Sequence, residues 1–159
     1  MHCRAANPDL PLLDVVKPIT LANSRWRCDH GWDIDLDDGS SNYHIFNNLL
    51  LNGGLKNREG YNRTVENNII LGDRDGSYHT HVWYNNSHDI FCNNIVATTY
   101  KPVNMPRGTW GEMLDNNILY TPGQAVPAPA VALQRASGRD EHSILADVLF
   151  EDPAATLVF

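Results

Sequence analysis

A right-handed parallel β-helix of about four to five rungs is the fold this sequence predicts, and three observations point to it. Asparagine is abundant, with seventeen in 159 residues. Asn is poor in helix interiors but good in turns, and it tolerates left-handed backbone. A short apolar stretch ending in an Asn pair recurs at residues 43–48, 63–68, 89–94 and 112–117, each time followed by a second apolar run. The second Asn of each pair stands at 48, 68, 94 and 117, giving steps of 20, 26 and 23 residues. A repeat of about that length, built as strand–turn–strand–turn with no helix-length segment, matches one β-helix rung. Leucine-rich repeats share the period but need a leucine pattern that is absent.

The elements follow in chain order. Residues 1–16 form an N-terminal segment that holds Asp9, Asp14 and two prolines. It lacks the continuous apolar core of a signal peptide, and its compartment stays open between cytoplasmic and secreted. Residues 17–121 carry the rungs. Stacked at the ordinary strand spacing of about 4.8 Å, identical Asn side chains can hydrogen-bond along the solenoid as a ladder, so Asn48, Asn68, Asn94 and Asn117 are expected at one corner. Residues 100–110, with Pro102 and Pro106, read as a long loop. Residues 122–159 read as an extended Pro/Ala-rich connector and a closing segment. Because the chain starts almost at the acidic rung described below, either further N-terminal rungs or self-association is expected to cover the first rung.

Composition narrows the function classes. Hydrophobic residues make up 42% and charged residues 19%, as in a folded domain. Lys plus Arg number 12 against 19 Asp plus Glu, for a net charge of −7. That balance argues against nucleic acid or an anionic membrane surface as the main partner. The three cysteines, Cys3, Cys28 and Cys92, have no metal-type spacing and read as free thiols, with no resident metal expected from them.

Residues 31–41 stand apart. Ile34 and Leu36 alternate with Asp33, Asp35 and Asp37, so a strand here buries two aliphatics and projects three carboxylates from one face. Like charges at this spacing repel, which points to function rather than structure. One rung later Lys56 and Arg58 alternate outward, and Glu59-Gly60 matches the position of Asp38-Gly39. A rung further, His79, His81 and Trp83 share one parity. Carboxylates, then cations with a carboxylate, then imidazoles and an indole make a column suited to a sugar. Asp35, Asp37 and Glu59 are candidates for the chemistry, Lys56, Arg58 and His81 for binding hydroxyls, and Trp83 for stacking on a pyranose face.

Spacing supplies a mechanism. Asp37 lies 22 residues and Asp35 24 residues before Glu59, each close to one rung. Carboxylates on adjacent rungs would lie about 5 Å apart, the separation of a retaining glycosidase. Strict alternation from Lys56 and Arg58 places Glu59 in the turn rather than mid-strand. Two other classes stay open. One is a calcium-dependent polysaccharide lyase, with the ion on Asp33, Asp35, Asp37 and Asp38 and Lys56 or Arg58 as base. The other is a glycan-binding solenoid without turnover.

The runs 31–43 and 52–60 resemble right-handed β-helix carbohydrate-active enzymes, most of all the β-xylosidases of glycoside hydrolase family 120. Residues 142–153 are similar to the segment that closes many such solenoids. The resemblance covers roughly residues 18–153. It implies retaining hydrolysis of an oligosaccharide or polysaccharide with an Asp nucleophile, carried over to Asp37 or Asp35, and a Glu acid/base, carried over to Glu59.

Overall fold

The Asn pairs bend the chain at regular intervals, and the strands between them stack into a right-handed parallel β-helix of about five turns. The computed structural model describes residues 9, 12, 13, 15, 17–72, 74 and 76–150. The first turn holds β1 (Ile19–Ala22), β2 (Arg25–Trp26) and β3 (Ile34–Leu36). The second holds β4 (Tyr43–Phe46), β5 (Leu49–Leu50) and β6 (Leu55–Asn57). The third holds β7 (Thr64–Glu66), β8 (Ile69–Ile70) and β9 (Tyr78–His81), and the fourth β10 (Ile90–Cys92), β11 (Ile95–Val96) and β12 (Lys101–Val103). The last has β13 (Met113–Asp115) and β14 (Ile118–Tyr120), followed by β15 (Ala128–Pro129), helix α1 (Val131–Ser137) and β16 (Ile144–Ala146).

Each of the first four turns adds one strand to each sheet. The first sheet has the order β1-β4-β7-β10-β13, the second β15-β16-β14-β11-β8-β5-β2, and the third β12-β9-β6-β3. Pairing is parallel apart from the antiparallel contact of β15 with β16. The interior is built from columns in register. Leu21, Ile45, Val65, Phe91 and Leu114 line the first sheet, and Trp26, Leu50, Ile70, Val96 and Leu119 the second. Tyr78 from the third sheet stacks on Phe91 with ring centroids 3.9 Å apart, closing the core between two sheets.

The corner between the first and second sheets carries two rows of amides. The first Asn of each pair makes the bend, as does Asn23 ahead of Ser24 on the first turn: Asn23, Asn47, Asn67, Asn93 and Asn116 all have φ between 53° and 58°. The second Asn points inward and is buried. Asn48 Nδ2 donates to Asn68 Oδ1 at 3.0 Å, Asn68 Nδ2 to Asn94 Oδ1 at 3.0 Å, and Asn94 Nδ2 to Asn117 Oδ1 at 3.3 Å. Each backbone N–H of Asn48, Asn68 and Asn94 also donates to the next Oδ1, at 3.0 Å. The expected Asn ladder is therefore present, with Trp26 Nε1 and the Ser24 N–H on Asn48 Oδ1 at one end. At the other end Asn117 Nδ2 donates to Asp140 Oδ1 at 3.1 Å, and its N–H to Ser143 Oγ at 2.9 Å.

Residues 122–132, expected to be extended, include the start of α1. This helix seats Leu133 on the open end of the core, fully buried with Ala130 beside it. Gly138 ends the helix in left-handed conformation, and Arg139 behind it donates to the carbonyls of Trp110 and Gly111 at 2.7 and 2.8 Å. His142 ties this cap to the last turn through its N–H and Nδ1, both on Asp115.

The ladder generates a contrast. Asn68→Ala strips the acceptor from two buried donors on Asn48 and takes a donor from the carbonyls of Ile45 and Glu66. It is expected to cost more than about 2 kcal/mol in urea denaturation. Asn67→Gly keeps the left-handed bend and is expected to stay within about 0.5 kcal/mol of wild type.

Candidate functional site

The third sheet's outer face gathers most of the residues singled out from sequence, because parallel register stacks equivalent positions. Asp35, Lys56, His79 and Lys101 form one column. One residue beyond the paired span of β3 and β6 lie Asp37 and Arg58, continued by His81 and Val103, which pair in register. The column of carboxylate, cation and imidazole is thus real.

Lys56 is the hub. Its Nζ donates to Asp35 Oδ1 at 3.1 Å and to Asp37 Oδ1 at 2.9 Å, with the side chain only 8% exposed. Arg58 Nη1 meets Asp37 Oδ1 at 3.1 Å and Asp38 Oδ1 at 2.7 Å, and its Nε meets Glu59 Oε2 at 2.8 Å. One guanidinium therefore bridges Asp37 and Glu59. Glu59 sits in the turn after β6, as its parity requires, where its carbonyl accepts the Gly39 N–H at 2.8 Å.

The charges respond to this packing. The Lys56 hydrogen bond, helped by Arg58 and opposed by partial burial, holds Asp37 down from its ordinary 3.8 to about 2. Burial pulls the Lys56 ammonium down, but Asp37 and Asp35 outweigh it and leave it above its usual range. Burial, reinforced by Arg58, lowers the His81 imidazole.

Two expected members are placed elsewhere. Trp83 is not on the outer face: Val82 takes φ 55° after β9 ends, which breaks the alternation and turns the indole inward. It is 4% exposed, donates Nε1–H to the Asn57 carbonyl at 2.7 Å, and packs edge-on to Tyr78. Asp33 is a turn clasp. It is 9% exposed and accepts backbone N–H groups from Cys28 at 2.7 Å, Asn52 and Gly53 at 3.0 Å, and Gly54 at 3.2 Å. Gly53 is needed there, because a Cβ would lie 2.1 Å from the Gly31 carbonyl oxygen on the rung below.

Among the described residues, no group of three or more His, Cys, Asp or Glu is placed to hold a metal ion. The donor set expected for calcium fits poorly, since Asp33 is saturated by amides and Asp35, Asp37 and Asp38 face Lys56 and Arg58.

The aromatic surface at the site is Trp32, which the sequence reading did not single out. Lys56 Nζ lies 4.5 Å from its ring centroid, and His79 meets it edge-on at 5.4 Å. Its proximity to the acidic strand was the available signal. A turn residue ahead of the strand has no parity to say where it points. His79 and His81 stack at 5.8 Å, continuing the face onto the third rung.

Comparison of the chain with protein-family models, with curated proteins and with solved structures gave no match.

Asp37 supplies a pH prediction. Its folded value is depressed, so its contribution to stability is present above pH 3.8 and lost as pH falls through about 2. Asp37→Asn is expected to lower the thermal midpoint at pH 7, with the difference from wild type closing as pH approaches 2. A pH series of melting curves checks this, and the effect is modest because the side chain is 52% exposed.

Proposed function

We propose that the third sheet's outer face binds an oligosaccharide or polysaccharide, and that the chain is a retaining glycoside hydrolase or a portion of one. Asp37 carries the reading. It is a half-exposed carboxylate kept ionised by Lys56 and Arg58, with Glu59 on the same guanidinium. An ionised carboxylate on a sheet face is suited to attack an anomeric carbon, and a neighbouring carboxyl to serve the leaving oxygen.

In this mechanism Asp37 attacks the anomeric carbon while Glu59 gives its proton to the leaving oxygen. Water then attacks the glycosyl–Asp37 ester as Glu59 takes back a proton. Because that carboxyl is ion-paired in the resting site, substrate hydroxyls must first draw Arg58 from Glu59, and the freed carboxylate must take a proton from water before it can give one to the leaving oxygen. Trp32 replaces Trp83 as the stacking surface, and Asp35 assists by orienting Lys56. The resemblance to the β-xylosidases of family 120 makes a xylose-containing oligosaccharide the first substrate to assay.

Lyase chemistry is less well supported. It needs a neutral base, whereas Asp37 and Asp35 hold Lys56 protonated and Arg58 is likewise raised by its carboxylates. Glycan binding without turnover has one observation in its favour: the carboxylates of the cluster are already engaged by cations.

Turnover of aryl and natural β-xylosides separates these readings. Asp37→Ala is expected to abolish hydrolysis. Glu59→Ala is expected to slow natural substrates about 10²- to 10⁴-fold, to spare activated aryl glycosides more, and to regain turnover with added azide. Full activity of Glu59→Ala on a natural substrate would refute the two-carboxylate mechanism. Saccharide binding with no turnover by wild type would leave the non-catalytic reading standing.

A further inference from the structure

The Asn corner lies between the first and second sheets, away from the charged face, and it carries an open trough of about 610 Å³. That volume lies within the range of ligand clefts. The trough runs across four rungs, from Asn23 through Asn47 and Asn67 to Asn93. One lip is the row of exposed bend asparagines. The other is an outward aliphatic column from the second sheet, with Leu49, Ile69 and Ile95 in register. Arg25 is the charged residue in its lining.

The exposed amides form a second ladder, distinct from the buried one. Asn67 Nδ2 donates to Asn47 Oδ1 at 2.7 Å, and Asn47 Nδ2 to Asn23 Oδ1 at 3.2 Å. A primary amide has two N–H donors and a carbonyl with two lone pairs. The ladder uses one donor and one lone pair of Asn47, leaving one of each directed to solvent. From Asn23 to Asn67 the outward amides therefore repeat along the axis at the rung spacing of about 4.8 Å, beside a strip of aliphatic carbon. The row ends at Asn93, whose Nδ2 lies 3.7 Å from Cys92 Sγ instead.

We infer that this trough binds a linear, uncharged polysaccharide laid along the solenoid axis. A regular glycan presents hydroxyls, each donor and acceptor, at a fixed repeat on one edge and C–H groups on its ring faces. The amide row matches the hydroxyls, and the Leu49–Ile69–Ile95 strip matches the ring faces. A peptide strand laid along the axis would lack such a uniform repeat, since its side chains change at every residue. An anionic polymer would gain one cation and meet a chain of net charge −7. The site is independent of the catalytic reading and would hold substrate or a neighbouring glycan while the charged face acts.

Retention of the full chain on insoluble cellulose, unsubstituted xylan and mannan, with insoluble polygalacturonate as the acidic comparator, tests this. Wild type is expected to be retained on at least one neutral polymer in preference to polygalacturonate. Asn47→Gly with Asn67→Gly preserves the left-handed bends and should leave the melting temperature near wild type while weakening retention about tenfold. Ile69→Lys, which places a charge in the strip, should weaken it similarly. Asp37→Ala should leave retention unchanged, which separates this site from the charged face even if that face proves inactive. Failure to bind any neutral polymer, a preference for polygalacturonate, or undiminished retention by the glycine double variant would overturn the proposal. So would loss of retention in Asp37→Ala with the trough variants unaffected.

Discussion

The buried amide ladder from Asn48 to Asn117 is the constraint on which the rest of this solenoid depends. Strands of two to four residues carry little register information of their own. Within one rung, a slip by one residue would send every interior side chain outward. The ladder removes that freedom. Each inward Asn accepts two donors from the preceding rung, and Asn48, Asn68 and Asn94 donate Nδ2 to the carbonyl two residues before, as with Asn68 on Glu66. Such a network is stable when fully satisfied and costly when broken. Its two ends are closed by polar groups that do not repeat the pattern, Trp26 and Ser24 at one and Asp140 and Ser143 at the other.

Register at that corner propagates to the charged face across the rung. A second buried element helps. Arg63 and Asp89 are fully buried and pair through Nε–Oδ1 at 2.9 Å and Nη2–Oδ2 at 2.6 Å. Arg63 Nη1 also donates to the Ser40 carbonyl at 3.3 Å and to the Arg58 carbonyl. The pair thus anchors the turn that presents Arg58 and Glu59. Losing one partner of such a pair costs about 3–5 kcal/mol, because the remaining charge is stranded. The surface pairs around Asp37 contribute far less to stability and gain their meaning from electrostatics.

Much of this was legible in the sequence. Asn pairs at rung spacing announced both the solenoid and the stacked corner, since only a parallel stack brings residues some 20 to 26 positions apart into contact repeatedly. Alternation within the acidic strand correctly placed Asp35 and Asp37 outward, and the glycines aligned Lys56 and Arg58 beside them. Legibility failed where backbone departs from simple alternation. Val82 in left-handed conformation reversed Trp83, and the turn before β3 brought Trp32 to the site instead. Pro102, which cannot donate to a ladder, makes β12 look like loop in the sequence. It is tolerated because β12 is the edge of its sheet. Helix α1 was masked by flanking proline and alanine, and it forms where the solenoid end needs Leu133 to close it.

Hydrogen exchange followed residue by residue tests most directly whether the inner ladder holds the rungs in register. The side-chain and backbone amides of Asn48, Asn68, Asn94 and Asn117 should form the slowest-exchanging class, far slower than the exposed side-chain amides of Asn47 and Asn67. They should open only with global unfolding, together with the buried strands β8 and β11. Exchange of the inner amides at the rate of the outer ones, while those strands stay protected, would contradict a structural role for the ladder.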